Sequence, residues 1–183
     1  PRPVIQVSPL ADLGPGVDGL IVISPNNTDA MVTLDGSATT DIDNDLDDLS
    51  FAWLVNGEPV ADGVIAEVLL EVGFNEITLE VSDGMDTGTA VSMVDVITAG
   101  QAVEELILQV GESMISRKTK APFLATLKAG LASFDRGNNI SGDNQLGAFQ
   151  NKVDAQLMRE DPELAEEWIR IAQEIRDAIA QQP

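Results

Sequence analysis

Five aspartates, Asp41, Asp43, Asp45, Asp47 and Asp48, fall within eight residues. Carboxylates crowded so closely repel one another, and a hard cation with about six to eight oxygen ligands is the usual remedy. Calcium suits a flexible, all-protein ligand set better than magnesium, which demands a rigid octahedron. The run is not a self-sufficient calcium loop. With Asp41 as the first position, the sixth is Leu46, where the turn needs glycine, and the twelfth is Ala52, where a bidentate glutamate should stand. Any calcium site must therefore be completed by residues distant in sequence. The alternative is a solvated acidic loop, folded by Asx-turns and holding no ion. Asp35-Gly36-Ser37 reads as turn formation, the carboxylate accepting backbone N–H groups.

Other chemistry is scarce. Histidine and cysteine are both absent, which removes imidazole general bases, thiol nucleophiles and the common zinc sites. Lack of cysteine does not exclude secretion; it rules out only stabilisation by disulfides. Paired carboxylates can hydrolyse glycosides, but among 31 acids some pair falls at a suitable distance by chance. No glycine-rich phosphate loop, serine elbow or metallohydrolase motif occurs. The chain reads as non-catalytic.

Charge narrows the partners. The net charge is −21, and residues 1–98 carry 18 acids against one base, Arg2. Nucleic acid and anionic membrane surfaces, which require clustered Lys and Arg, are disfavoured. Divalent cations or high salt would relieve the self-repulsion. Arg117, Lys118 and Lys120 form the one basic cluster and read as a solvated loop or a dock for the acidic first half. No apolar run is long enough to span a membrane. A chain opening on Pro1-Arg2-Pro3 without a leader reads as a segment of a longer protein, or as a cytosolic one.

The elements that would position these residues fall into two groups. Seven short strands are predicted, at Val4–Ser8, Leu20–Ser24, Ala30–Asp35, Leu49–Asn56, Val64–Glu71, Asn75–Ser82 and Ala90–Thr98, separated by Gly, Asn, Asp and Pro turns. Phe51, Trp53 and Val55 share one face with Leu49, which makes Trp53 a core residue. Ile77, Leu79 and Val81 alternate with polar residues, whereas Val91–Ile97 fits either phase. After Ala99-Gly100 the period changes to 3.6, with apolar stripes Val103–Met114, Leu124–Phe134 flanked by Phe123, Leu146–Leu157 and Leu164–Ile179. Asp161-Pro162-Glu163 marks a helix start and Asp135-Arg136-Gly137 a helix stop.

Val32-Thr33-Leu34-Asp35-Gly36-Ser37, the Thr40–Asp45 run, Leu49-Ser50-Phe51-Ala52-Trp53 and Ile77–Gly84 occur in the order found in PKD and related immunoglobulin-like repeats, which residues 1–98 resemble. Trp53-Leu54-Val55-Asn56-Gly57-Glu58 departs from the commonest PKD form toward cadherin-like and REJ-like variants. Calcium-binding members of that family place a cation between the Asp-x-Asp loop, the Asp after the Val-Ser strand and the N-terminal segment. The resemblance thus implies calcium at Asp41, Asp43 and Asp83 with a backbone carbonyl near Arg2, Asp45 being the next candidate. A second ion near Asp45, Asp47 and Asp48 is a further expectation.

Phe123–Ala129, Phe134–Asn138 and above all Gln145-Leu146-Gly147-Ala148-Phe149-Gln150-Asn151-Lys152-Val153 resemble the FIMAH domain, a helical module near the ends of secreted bacterial and archaeal proteins. Gly147 and Gln150 depart from its pattern, and Asn151 reads as solvated. Together these readings predict two domains, an all-β immunoglobulin-like sandwich over residues 1–98 and an all-α four-helix bundle over 101–183. The implied function is a calcium-assisted accessory, binding or spacer region of a larger secreted or cell-surface bacterial enzyme or adhesin. Its expected partners are other domains of the parent protein and extracellular polysaccharide or protein. The alternative is an assembly module whose helical bundle docks a partner.

Overall fold

The computed structural model describes residues 1–181. Eight strands precede four helices: β1 Gln6–Ser8, β2 Leu20–Ser24, β3 Asp29–Asp35, β4 Ser50–Val55, β5 Glu58–Asp62, β6 Ile65–Glu71, β7 Gly73–Ser82, β8 Thr87–Thr98, then α1 Ala99–Glu112, α2 Arg117–Phe134, α3 Asn139–Gln156 and α4 Pro162–Ala180. One sheet has the order β1-β3-β6, the other β2-β8-β7-β4-β5.

Alternation decides which face each strand buries. Phe51 and Trp53 of β4, Ile77, Leu79 and Val81 of β7, and Val32 and Leu34 of β3 enter one core shared by both sheets. Trp53 is fully buried and its indole N–H donates to the Gly63 carbonyl at 2.8 Å. In β8, the even positions Val94 and Val96 enter the core and Val91 and Met93 face outward. Asp95 shares that outer phase, and partial burial raises its carboxyl pKa.

The strand missed by the sequence reading is β5. Its residues Glu58, Pro59, Val60 and Asp62 are exposed, so no apolar alternation announces it. It forms because Asn56 and Gly57, with φ of 52° and 82°, make a two-residue hairpin turn of the twist that matches paired strands. Pro59 is tolerated because β5 is an edge strand.

The expected fold class, an all-β immunoglobulin-like sandwich followed by an all-α bundle, is corrected by the structure. The chain is 40% helical and 31% strand, with eight strands in two sheets where seven were expected. Its residues also divide into two interleaved compact units. One contains Pro1–Leu10, Gly19–Val22 and Thr28–Val96; the other contains Ala11–Asp18, Ile23–Asn27 and the residues from Ile97 onward. The helical unit is therefore not purely helical. Leu13 is buried within it, the Leu13 carbonyl accepts from Gln109 Nε2 at 2.6 Å, and the Asp12 carbonyl accepts from Arg170 at 2.9 Å.

Within that unit, Thr98 and Gln101 form a reciprocal capping box at the start of α1, and Asp161 caps α4 ahead of Pro162. Phe123 packs edge-to-face on both Phe149 and Trp168, with ring centroids 6.1 Å apart in each pair. Phe123 thus takes the core position expected of Leu124, which is only half-buried, and Met114 lies beyond α1 and is exposed. Gly142 lets α3 approach α2, since a Cβ there would lie 2.4 Å from the ring of Phe134. Gly147 and Gln150 meet one side chain: Arg176 lies over Gly147, donates to Gln150 Oε1 at 2.8 Å and pairs with Asp143 at 2.7 Å. Among the described residues no helix is long and apolar enough to cross a membrane.

Candidate functional site

Three segments far apart in sequence meet at one end of the sheet unit. Arg2 bridges to Thr40 through paired backbone hydrogen bonds, Arg2 N–H to Thr40 O at 2.7 Å and Thr40 N–H to Arg2 O at 3.3 Å. That bridge lays Pro1 beside the Asp41 loop. Gly88 makes room for it, because a Cβ at residue 88 would lie 2.4 Å from the Pro1 carbonyl oxygen. The result is a cleft of about 440 Å³ lined by Pro1, Arg2, Thr40, Asp41, Ile42, Asp43, Asp83 and Asp86.

The carboxylates are held by the backbone. Asp41 Oδ1 accepts the N–H groups of Asp43 and Asn44 at 3.2 and 3.1 Å, an Asx-turn. Asp83 Oδ1 accepts those of Met85 and Asp86, both at 2.7 Å. Asp41 Oδ2 lies 2.7 Å from the Pro1 ammonium, and the two side chains are 5% and 4% exposed. This contact seats residue 1 against the Asp41 loop.

These contacts set the titration behaviour. The Pro1 ammonium, with the Asp43 N–H, holds the Asp41 carboxyl down to about 2. Its hydrogen bond to Asp41 raises the Pro1 ammonium above its ordinary value. Backbone donation from Asp86 and Met85 lowers Asp83. Asp43 goes the other way: hydrogen bonding to Asp41 and repulsion from its charge raise it. Asp41 thus disfavours the charged form of Asp43.

Of the expected ligands, Asp41, Asp43, Asp83 and Arg2 come together at this cleft, and Asp45 does not line it. Asp45 instead precedes a short 3-10 turn, Leu46–Asp48, where Asp47 and Asp48 are exposed. Among the described residues no three acidic side chains converge closely enough to enclose a metal ion unaided, whether here or near Asp45, Asp47 and Asp48. The donor groups of the cleft, carboxylates with a backbone carbonyl, are the oxygen ligands that a hard cation takes. The sequence reading missed Asp86 and the Pro1 amine. The spacing Asp83-Gly84-Met85-Asp86 carried the signal for the first, since an Asx-turn folds the second acid back beside the first. Nothing signalled the amine.

Asp35 accepts the Ser37 N–H at 2.7 Å and serves its turn. Two large apolar side chains flank the acidic loops almost fully exposed, Ile42 at 92% and Met85 at 93%. No family model, curated protein or solved structure matches the chain.

Proposed function

We propose that this chain is a non-catalytic accessory region of a larger secreted or cell-surface bacterial protein, with a sheet unit stiffened by calcium. The reading rests on one observation: Asp41, Asp43 and Asp83, with Asp86 beside them, line one cleft together with residues 1–2. Calcium there would tie together the segments at residues 1–2, 40–43 and 83–86, of which the first two already meet in the Arg2–Thr40 backbone bridge. Oxygen ligands on flexible loops suit weak extracellular calcium sites, with dissociation constants of about 0.1–1 mM. The PKD-like and FIMAH-like motifs supply the setting: a spacer that holds a catalytic or adhesive domain, or presents a surface to polysaccharide or protein.

The test is thermal unfolding of the chain and of Asp43→Ala, with calcium and with chelator at matched ionic strength. Calcium at about 100 times its dissociation constant adds about 2.7 kcal/mol to a state that alone binds it. A rise in the sheet-unit transition that Asp43→Ala abolishes supports the site. Equal transitions with calcium and with chelator would sink it.

A further inference from the structure

Helix α2 differs from the rest of this acidic chain. Between Arg117 and Phe134 it carries four bases, Arg117, Lys118, Lys120 and Lys128, and no acid. Arg117 and Lys118 open the helix, where a positive charge meets the positive end of the helix dipole and disfavours the fold. Helix stability therefore does not account for them. Lys120 has a local task, since its Nζ donates to the Gly111 and Ser113 carbonyls at 2.6 and 2.8 Å. Arg117, Lys118 and Lys128 have no ion-pair partner among the described residues.

Beside these bases runs a groove of about 670 Å³, with Ala121, Leu124 and Ala125 in it and Arg117, Lys120 and Lys128 around them. Ala121, Leu124, Ala125 and Lys128 follow the i, i+3, i+4, i+7 spacing of a single helix face. Two alanines in that row allow a second helix to approach closely.

We propose that this groove docks an acidic amphipathic helix of a partner protein. Its apolar stripe would lie on Ala121, Leu124 and Ala125, and its carboxylates against Arg117 and Lys128. Complementary charge identifies the partner as acidic, and the apolar residues distinguish a helix from an anionic polysaccharide. The aromatic platforms and amides that hold sugars are missing from the lining. At physiological salt, charges beyond about 8 Å are screened, so the net −21 of the chain does not cancel the local basic field. The groove shares no residue with the cation cleft and does not depend on it.

The probe is a fluorescein-labelled, 18-residue helical peptide with a leucine stripe flanked by glutamates, read by anisotropy against the whole chain. Its sibling carries glutamine for every glutamate. Binding of the acidic peptide, weakened about tenfold by Lys128→Glu or Arg117→Glu and lost in the glutamine sibling, supports the proposal. Both altered side chains are exposed, and an unchanged circular dichroism spectrum checks the fold. The proposal is overturned if the acidic peptide does not bind, if the sibling binds equally, or if charge reversal has no effect. It is also overturned if heparin or phosphatidylserine vesicles bind and the peptide does not.

Discussion

Gly142→Ala tests the packing that orients α2. A Cβ at 142 would stand 2.4 Å from both Cε1 and Cζ of Phe134 and 2.7 Å from Cε2. Carbon pairs rest at about 3.5–4.0 Å, so the overlap is about 1 Å or more at Cε1 and Cζ and slightly less at Cε2. Phe134 is 4% exposed and has little room to retreat. In an open helix, glycine to alanine adds about 1 kcal/mol of stability. Overpacking of this kind costs about 1–3 kcal/mol, leaving a net loss of up to about 2 kcal/mol. Gly147→Ala, in the same helix, is the control. Its Cβ would meet the Arg176 guanidinium at 3.6–3.8 Å, an ordinary contact, so that variant should gain up to about 1 kcal/mol. Urea unfolding followed by helical circular dichroism measures both. Phe134→Leu added to Gly142→Ala should recover part of the loss, and the double-mutant cycle should give a coupling of about 1 kcal/mol. Equal stability of the two glycine variants, or strict additivity in the cycle, would refute the close crossing.

Two further outcomes follow from the cleft. Acetylating Pro1 removes the ammonium, and the Asp41 carboxyl should rise from about 2 toward 3.8 while the Asp43 N–H keeps it below that value, as read by NMR titration. The ammonium is raised above 8.0, so its contribution is full below that pH and fades as pH climbs through the raised value. Asp41 contributes fully above 3.8 and loses its contribution as pH falls through about 2. An Asp41 pKa unmoved by acetylation would remove the ion pair from the account. Gly88→Ala reaches the same cleft from β8. By displacing Pro1 it should raise the Asp41 pKa as acetylation does and speed exchange of the Arg2 amide, which donates to Thr40 at 2.7 Å; unchanged values would mean that Pro1 is not seated there.

The sequence was most readable where a single face decides the structure. Phe51 and Trp53 in β4, and Ile77, Leu79 and Val81 in β7, alternate with outward residues, so strand and core followed together. β8 was ambiguous because Val91 and Met93 are as apolar as Val94 and Val96. Only its pairing with β7, which sets Met93 opposite Glu76 and Val94 opposite Asn75, settles the phase. β5 depends on a turn and an edge instead of on burial. The segment Ala11–Asp18 was illegible for another reason: Asp12 and Leu13 find their partners at Arg170 and Gln109, and nothing in Gly14-Pro15-Gly16 points that far along the chain. In the cleft, the acids were visible as a run, but the run overstated the site. Asp41 and Asp43 turn to the cleft while Asp45, Asp47 and Asp48 lie on or beside a 3-10 turn.

Asp43 separates a cation site from a merely acidic loop, because the two readings give Asp43→Ala different signs. Neighbouring donors already stabilise the charges of Asp41 and Asp83: the Pro1 nitrogen and then the Asp43 N–H at Asp41, and the Asp86 and Met85 N–H groups at Asp83. Asp43 is raised by its neighbour Asp41, so its ionised form weakens the metal-free fold at neutral pH, and the cost disappears as pH falls below its pKa. Removing that carboxylate should therefore leave the chelated protein as stable as before, or more so, while removing the gain from calcium. A loop that holds no ion would show the first effect without the second. A site whose acids serve only the local turn would show a loss under both conditions, because Asp43 would then be holding structure instead of charge. The pair of measurements thus reads the role of one carboxylate from the sign of each change, and neither sign depends on how tightly calcium binds.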